Sequence, residues 1–124
     1  MERKKVIYIA GPITGVQNYW EPFEQAEEDL QGLGYIPLSP AHLPQGMTNA
    51  QYLRICLAMI DSADAVLFLP GYYHSKGAEV EAKYCVYISK PVVFLRDSGL
   101  CDGKNPREIV QAWLKYDLEE VTKQ

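Results

Sequence analysis

The stretch SADAVLFLPG, residues 62–71, contains a nearly continuous apolar run at 65–69 that ends at a proline and a glycine. A short apolar run without alternation is typical of a strand buried on both faces, as in the centre of a parallel sheet. Strand-like and helix-like segments alternate on both sides of it. This stretch therefore predicts an α/β fold with the run as a central strand.

On both sides of the run at 65–69, each strand-like segment is followed by a helical pattern. The predicted strands are 6–11, 35–38, 65–69 and 91–95, and the predicted helices are 22–34, 48–64, 77–89 and 105–121. Such alternation implies right-handed crossovers and helices on both faces of the sheet. We expect one domain over 1–124, a flavodoxin- or Rossmann-like three-layer α/β fold with a mostly parallel sheet of four or five strands.

Composition narrows the function classes. The net charge of −4 and the pI of about 5.1 disfavour a binder of nucleic-acid polymers or anionic membranes. No run approaches the ~20 apolar residues of a membrane span, and the three cysteines, Cys56, Cys85 and Cys101, form no CxxC pair. We expect a cytoplasmic protein with reduced thiols and no metal site.

In open α/β sheets, ligands bind beyond the carboxyl ends of the strands. Two glycine-containing loops, AGPITG after the first strand and PGYYHSKG after the third, lie at that edge. Glycines and helix-start N–H groups can hold an anion, although a plain turn and a simple helix cap remain open. The candidate binding residues in these loops are Gly11, Ile13, Thr14, Gly15, Gly71, Ser75, Lys76 and Gly77.

Two glutamates follow the second loop. Glu79 lies in the first turn of the predicted helix, where the helix dipole favours an ionised carboxylate that could attack a sugar C1 or stabilise an oxocarbenium ion. An acidic residue that only stabilises the helix is the alternative. Glu81 is rotated by roughly 200° from Glu79, so we expect it to be structural or solvated.

Several aromatic side chains surround these loops and could stack on a base or hydrogen-bond a sugar. They are Tyr8, Tyr19, Trp20, Tyr72 and Tyr73. For Tyr8, inside the first strand, a core position with a satisfied hydroxyl is equally open.

Four segments in order, VIYIAGPITG, LGYIPLSP, SADAVLFLPG and SKGAEVEAKY, cover about residues 5–95. Together they resemble the nucleoside 2-deoxyribosyltransferase superfamily, and within it the small DUF4406 proteins. The resemblance implies a flavodoxin-like sheet, chemistry at an N-glycosidic bond and no cofactor. It also implies a nucleotide as the small-molecule substrate and a homodimer or higher homo-oligomer.

The resemblance also assigns roles to residues. Glu79 matches the family's catalytic glutamate, Tyr8 the tyrosine near the sugar, and Ser75 with Gly77 the 5′-phosphate loop; Gly11 to Gly15 match the first loop. On the second predicted helix Arg54 matches the family pattern, but Cys56 stands where several relatives have an aspartate that handles the base. The chain could therefore use another acid, such as Asp61 or a tyrosine, or not catalyse.

Three hypotheses follow. The first is an enzyme, an N-glycosidase or deoxyribosyltransferase, that cleaves or transfers across the N-glycosidic bond of a (deoxy)nucleoside 5′-monophosphate. The second is a non-catalytic nucleotide-binding module or sensor. The third is hydrolysis of NAD or a related nucleotide derivative.

Overall fold

The computed structural model describes residues 3–13 and 15–94, which form a four-stranded parallel sheet flanked by helices. The strands are β1 (Val6–Ala10), β2 (Ile36–Leu38), β3 (Ala65–Phe68) and β4 (Val92–Phe94), and the helices are α1 (Trp20–Gly32), α2 (Asn49–Ser62) and α3 (Lys76–Tyr87). The strand order is β2-β1-β3-β4. The predicted α/β fold class is therefore confirmed; Cys101 and the predicted helix at 105–121 lie outside the described residues.

The apolar run at 65–69 contains β3, which lies between β1 and β4. Tyr8 of β1 is paired with Val66 of β3 and with Leu38 of β2. All four residues of β3 are buried, as expected for a central strand covered on both faces.

Side chains of β1 alternate between two core clusters. Ile7 and Ile9 pack in one cluster with Phe23 and Leu30 of α1. Tyr8 lies on the opposite face, in a cluster that includes Ile60 of α2 and Cys85 of α3. The sheet is thus the middle layer, with α1 on one face and α2 and α3 on the other.

Local signals fix the helix starts. Thr48 and Gln51 form a capping box at the start of α2. At the start of α3, the Ser75 hydroxyl accepts a hydrogen bond from the backbone N–H of Ala78. These caps set the point at which α3 leaves the loop after β3.

The loops after β1 and β3 are in contact. The Leu69 N–H donates to the Ala10 carbonyl over 2.8 Å, and a Cβ added to Gly11 would lie 3.1 Å from the Leu69 Cβ. A Cβ added to Gly71, whose φ of +82° favours glycine, would lie 3.7 Å from the Pro12 ring. The sheet therefore brings the two predicted loops together at one edge.

Candidate active site

The centre of the candidate site is a buried pair, Tyr8 of β1 and Glu81 of α3. The Tyr8 hydroxyl donates a hydrogen bond to a Glu81 carboxylate oxygen over 2.5 Å. Tyr8 is fully buried and Glu81 is only 7% exposed. Carboxylates are rarely buried without a partner because the charge loses its hydration. Burial of an ionised Glu81 therefore lowers the stability of the fold.

The periodicity of α3 places Glu81 there. The buried residues of this helix are Ala78, Glu81 and Cys85, spaced by three and four positions. This spacing defines the inner face of a helix. Glu81 thus occupies a core position of an otherwise apolar stripe and points at the sheet.

Glu79 lies on a different face of α3 and is exposed. The Tyr8 hydroxyl donates to Glu81, and the catalytic roles predicted for Glu79 and Tyr8 stay predictions. Of the two expectations for Glu81, the solvated position is wrong, because the spacing of the buried residues of α3 turns this side chain inward, and the structural one stays a prediction. The sequence signal that could have identified Glu81 is its i+3 and i−4 relation to Ala78 and Cys85.

Burial dominates the electrostatics of the pair. Loss of hydration raises the pKa of Glu81 from 4.5 to about 7, against the hydrogen bond from Tyr8, which lowers it. Burial, followed by the nearby Glu81 charge, raises the pKa of Tyr8 well above its usual range. The tyrosine therefore keeps its proton as a donor, while the glutamate can change charge near neutral pH.

Two thiols complete the cluster. Cys56 of α2 is 8% exposed and packs in the same core cluster as Tyr8. Burial raises its pKa, and the nearby Tyr8 hydroxyl opposes that effect. Cys85 is fully buried, and burial together with the Glu81 charge raises its pKa to about 12. Cys56, a predicted site residue, thus lies next to the pair.

The first loop contributes mainly backbone and packing. Gly11 is buried, and Ile13 packs against the α1-side core. Gly15 is exposed, with a φ of +75° and open space around its Cα. Thr14 lies outside the described residues.

The second loop presents polar groups at the start of α3. The Ser75 hydroxyl accepts the capping bond, and a hydroxyl that accepts in this way can still donate its own proton. Lys76 and Gly77 are exposed. The predicted helix cap at Ser75 is confirmed, while phosphate binding at these residues stays a prediction.

The other predicted residues on α2 lie away from the pair. Arg54 is exposed. Asp61, the alternative acid, is also exposed, and it accepts a hydrogen bond from the Tyr84 hydroxyl over 2.6 Å. This bond joins α2 to α3.

Aromatic rings cluster beside the second loop. The Tyr72 ring lies 5.0 Å from that of Phe94 and 5.2 Å from that of Phe68. Tyr19 and Trp20 form a separate edge-to-face pair at 5.7 Å near the first loop. Tyr72 thus belongs to an aromatic cluster of the α2 and α3 side, and a role in base stacking stays a prediction.

The part of the chain that the structure describes contains neither a candidate metal cluster nor a helix that could span a membrane. No three histidine, cysteine or acidic side chains there are grouped so that they could hold a metal ion. None of the described helices is long and apolar enough to cross a membrane.

Comparisons with known proteins give the family and a shared fold. The model of a family described as "Domain of unknown function (DUF4406)" matches residues 5–94. A solved structure of a 2-deoxyribosyltransferase from the psychrotolerant bacterium Bacillus psychrosaccharolyticus is similar, with a TM-score of 0.67 and 21% sequence identity. That likeness covers 94% of this chain and 95% of the other, which shows a shared fold. No curated protein matches the sequence.

Proposed function

This chain belongs to the DUF4406 family, and we propose that it cleaves or transfers across the N-glycosidic bond of a (deoxy)nucleoside 5′-monophosphate. In this proposal Glu81 acts at C1′ of the sugar, Tyr8 holds and orients its carboxylate, and the start of α3 binds the 5′-phosphate. The fold shared with a 2-deoxyribosyltransferase supports the reaction class.

One observation carries the proposal: the buried hydrogen bond between Tyr8 and Glu81. Glu81 is the only buried carboxyl group among the described residues, and burial raises its pKa to about 7. Strongly perturbed carboxyl groups with a specific partner are enriched at functional sites. The same feature favours Glu81 over Glu79, which is exposed.

The chemistry requires the ionised form of Glu81. A carboxylate oxygen can attack C1′ or stabilise an oxocarbenium-like transition state as the bond to the base breaks. The Tyr8 hydroxyl donates to one oxygen of the Glu81 carboxylate. In this proposal the other oxygen acts on the sugar. Water or a second base then takes the sugar.

The start of α3 supports the choice of a 5′-monophosphate as substrate. Backbone N–H groups at a helix start and the dipole favour an anion, and Ser75 adds a hydroxyl and Lys76 a positive charge. The Gly77 Cα faces open space, with the Ser75 Oγ at 3.9 Å from an added Cβ, so a phosphate oxygen can approach the backbone.

The test is release of free base from a panel of nucleoside 5′-monophosphates and the matching nucleosides, followed by chromatography. We expect release from at least one monophosphate, a lower rate for its nucleoside, and a loss of at least about 10²-fold in Glu81→Gln. A second free base in the reaction distinguishes transfer from hydrolysis.

Absence of base release from every compound would contradict the proposal, and so would an unchanged rate in Glu81→Gln. Binding without release, seen as a rise in melting temperature with nucleotide, would favour the non-catalytic module instead. The predicted homo-oligomer and cytoplasmic location remain proposals, which light scattering and cell fractionation check.

A further inference from the structure

The apolar surface on the α1 side of the sheet extends across three strands. Ala65 and Leu67 of β3 are buried there in one cluster with Ile7 and Ile9 of β1. Val93 of β4 packs against the same cluster. The surface to be covered on this side therefore reaches from β1 to β4.

α1 covers only part of that surface. This helix joins β1 to β2 and packs mainly against those two strands. A helix with its side chains is about 10 Å across, whereas strands spaced by ~4.8 Å make this sheet about 14 Å wide between its outer strands. α2 and α3 pack on the opposite face. Burial of Leu67, which is only 2% exposed, therefore requires a further apolar element beside α1.

The sequence after β4 contains a segment with the properties of such an element. Residues 105–121 carry the signals of a helix, with Asn105 as a cap and Pro106 in the first turn. Apolar side chains recur in this segment at the spacing of one helical face. They are Ile109, Val110, Trp113 and Leu114. The segment follows residues 5–94, which the family model matches.

The length of the connection allows this placement. β4 is parallel to β3 and ends at Phe94, at the carboxyl edge of the sheet, and residues 95–104 separate it from the predicted helix. An extended chain of about ten residues spans up to ~33 Å, which exceeds the distance from a strand to a helix packed on the sheet. A helix that starts at this edge runs back along the strands, as α1 does after β1.

We propose that residues 105–121 form a helix that packs beside α1 over β3 and β4, with Trp113 and its apolar neighbours against Leu67 and Val93. The inference does not depend on the proposed function. Because β3 leads into the loop from which α3 starts, the docked helix supports the strand that carries this loop.

The test is a double-mutant cycle in the full chain between Trp113→Ala and Val93→Ala, measured by urea unfolding. Val92→Ala is the matched control, because Val92 is the neighbouring half-buried residue of β4 and packs in the cluster on the opposite face. We expect Trp113→Ala and Val93→Ala to be non-additive by about fivefold or more in the unfolding equilibrium constant, and Trp113→Ala and Val92→Ala to be additive.

A second measurement uses Trp20→Phe, which leaves Trp113 as the only tryptophan. We expect acrylamide to quench its fluorescence less in the folded protein than in urea. Additivity with both valine variants, or equal quenching in the two states, would overturn the inference. An equal or larger non-additivity with Val92→Ala would place the segment on the α2 and α3 face, which also overturns it. A non-additivity that fades on dilution would assign the contact to a second copy of the chain instead.

Discussion

Replacing Glu81 by glutamine should change how the stability of the protein depends on pH. Burial raises the pKa of this carboxyl from 4.5 to about 7 in the folded state. Between those pH values the folded state binds more protons than the unfolded state, so the free energy of unfolding falls as pH rises through this window. Above pH 7 the loss is complete, and below about pH 4.5 it is absent.

The size of the effect follows from the two pKa values. Each pKa unit corresponds to about 1.4 kcal/mol, so the rise from 4.5 to about 7 means that the ionised Glu81 destabilises the fold by at most about 3.5 kcal/mol at pH 8. Because the side chain is 7% exposed, solvent screens little of this. Glutamine keeps an oxygen acceptor for the Tyr8 hydroxyl without the charge. We therefore expect Glu81→Gln to be more stable than wild type at pH 8 and similar to it at pH 4.5.

The assay is urea unfolding at several pH values between 4.5 and 8.5 for wild type, Glu81→Gln and Glu79→Gln. Other titrating groups are common to all three proteins and cancel in the differences. Glu79 is exposed on the same helix, so its variant is the matched control for replacing a carboxyl group by an amide in α3. A constant difference between wild type and Glu81→Gln across the range would refute the argument that Glu81 is a buried group with a raised pKa.

Three other perturbations test separate parts of the site. Tyr8→Phe removes the hydrogen bond that lowers the Glu81 pKa, so the rise of kcat/KM with pH, expected near 7 in wild type, should move to higher pH. Gly11→Ala would put a Cβ 3.1 Å from the Leu69 Cβ and 3.3 Å from the Phe23 ring. Urea unfolding should show a free energy of unfolding that is lower by about 1–3 kcal/mol. In the control Gly77→Ala the added Cβ meets nothing closer than 3.9 Å, so no comparable loss of stability is expected. Ser75→Ala removes the hydrogen bond that caps α3 at the Ala78 N–H, and it should lower the free energy of unfolding by about 1 kcal/mol. In steady-state kinetics the same variant should raise KM for the monophosphate more than for the nucleoside.

The sequence predicted the fold because the apolar runs are distinctive. The run at 65–69 is buried along β3, and the Thr48 capping box marks the start of α2. Both signals are local, since a strand buried on two faces and a cap each depend on a few neighbouring residues. The placement of the loops after β1 and β3 at one edge of the sheet also follows, because the carboxyl ends of parallel strands lie at the same edge.

The choice between Glu79 and Glu81 depends on tertiary packing, which local sequence signals do not contain. A helix dipole acts on the first turn and favours Glu79, whereas burial depends on which face of α3 meets the sheet. That face is defined by Ala78 and Cys85, and its partner is a tyrosine 73 positions earlier in the chain. The position of Cys56 beside Tyr8 likewise depends on the packing of α2 against β1.

The most direct test of the account is single-turnover base release by the matched variants Glu81→Gln and Glu79→Gln, with a monophosphate that wild type cleaves. The account predicts that Glu81→Gln loses at least about 10²-fold in rate while Glu79→Gln stays close to wild type. Full activity in Glu81→Gln with loss of activity in Glu79→Gln would contradict it, and would return the role at C1′ to the exposed glutamate.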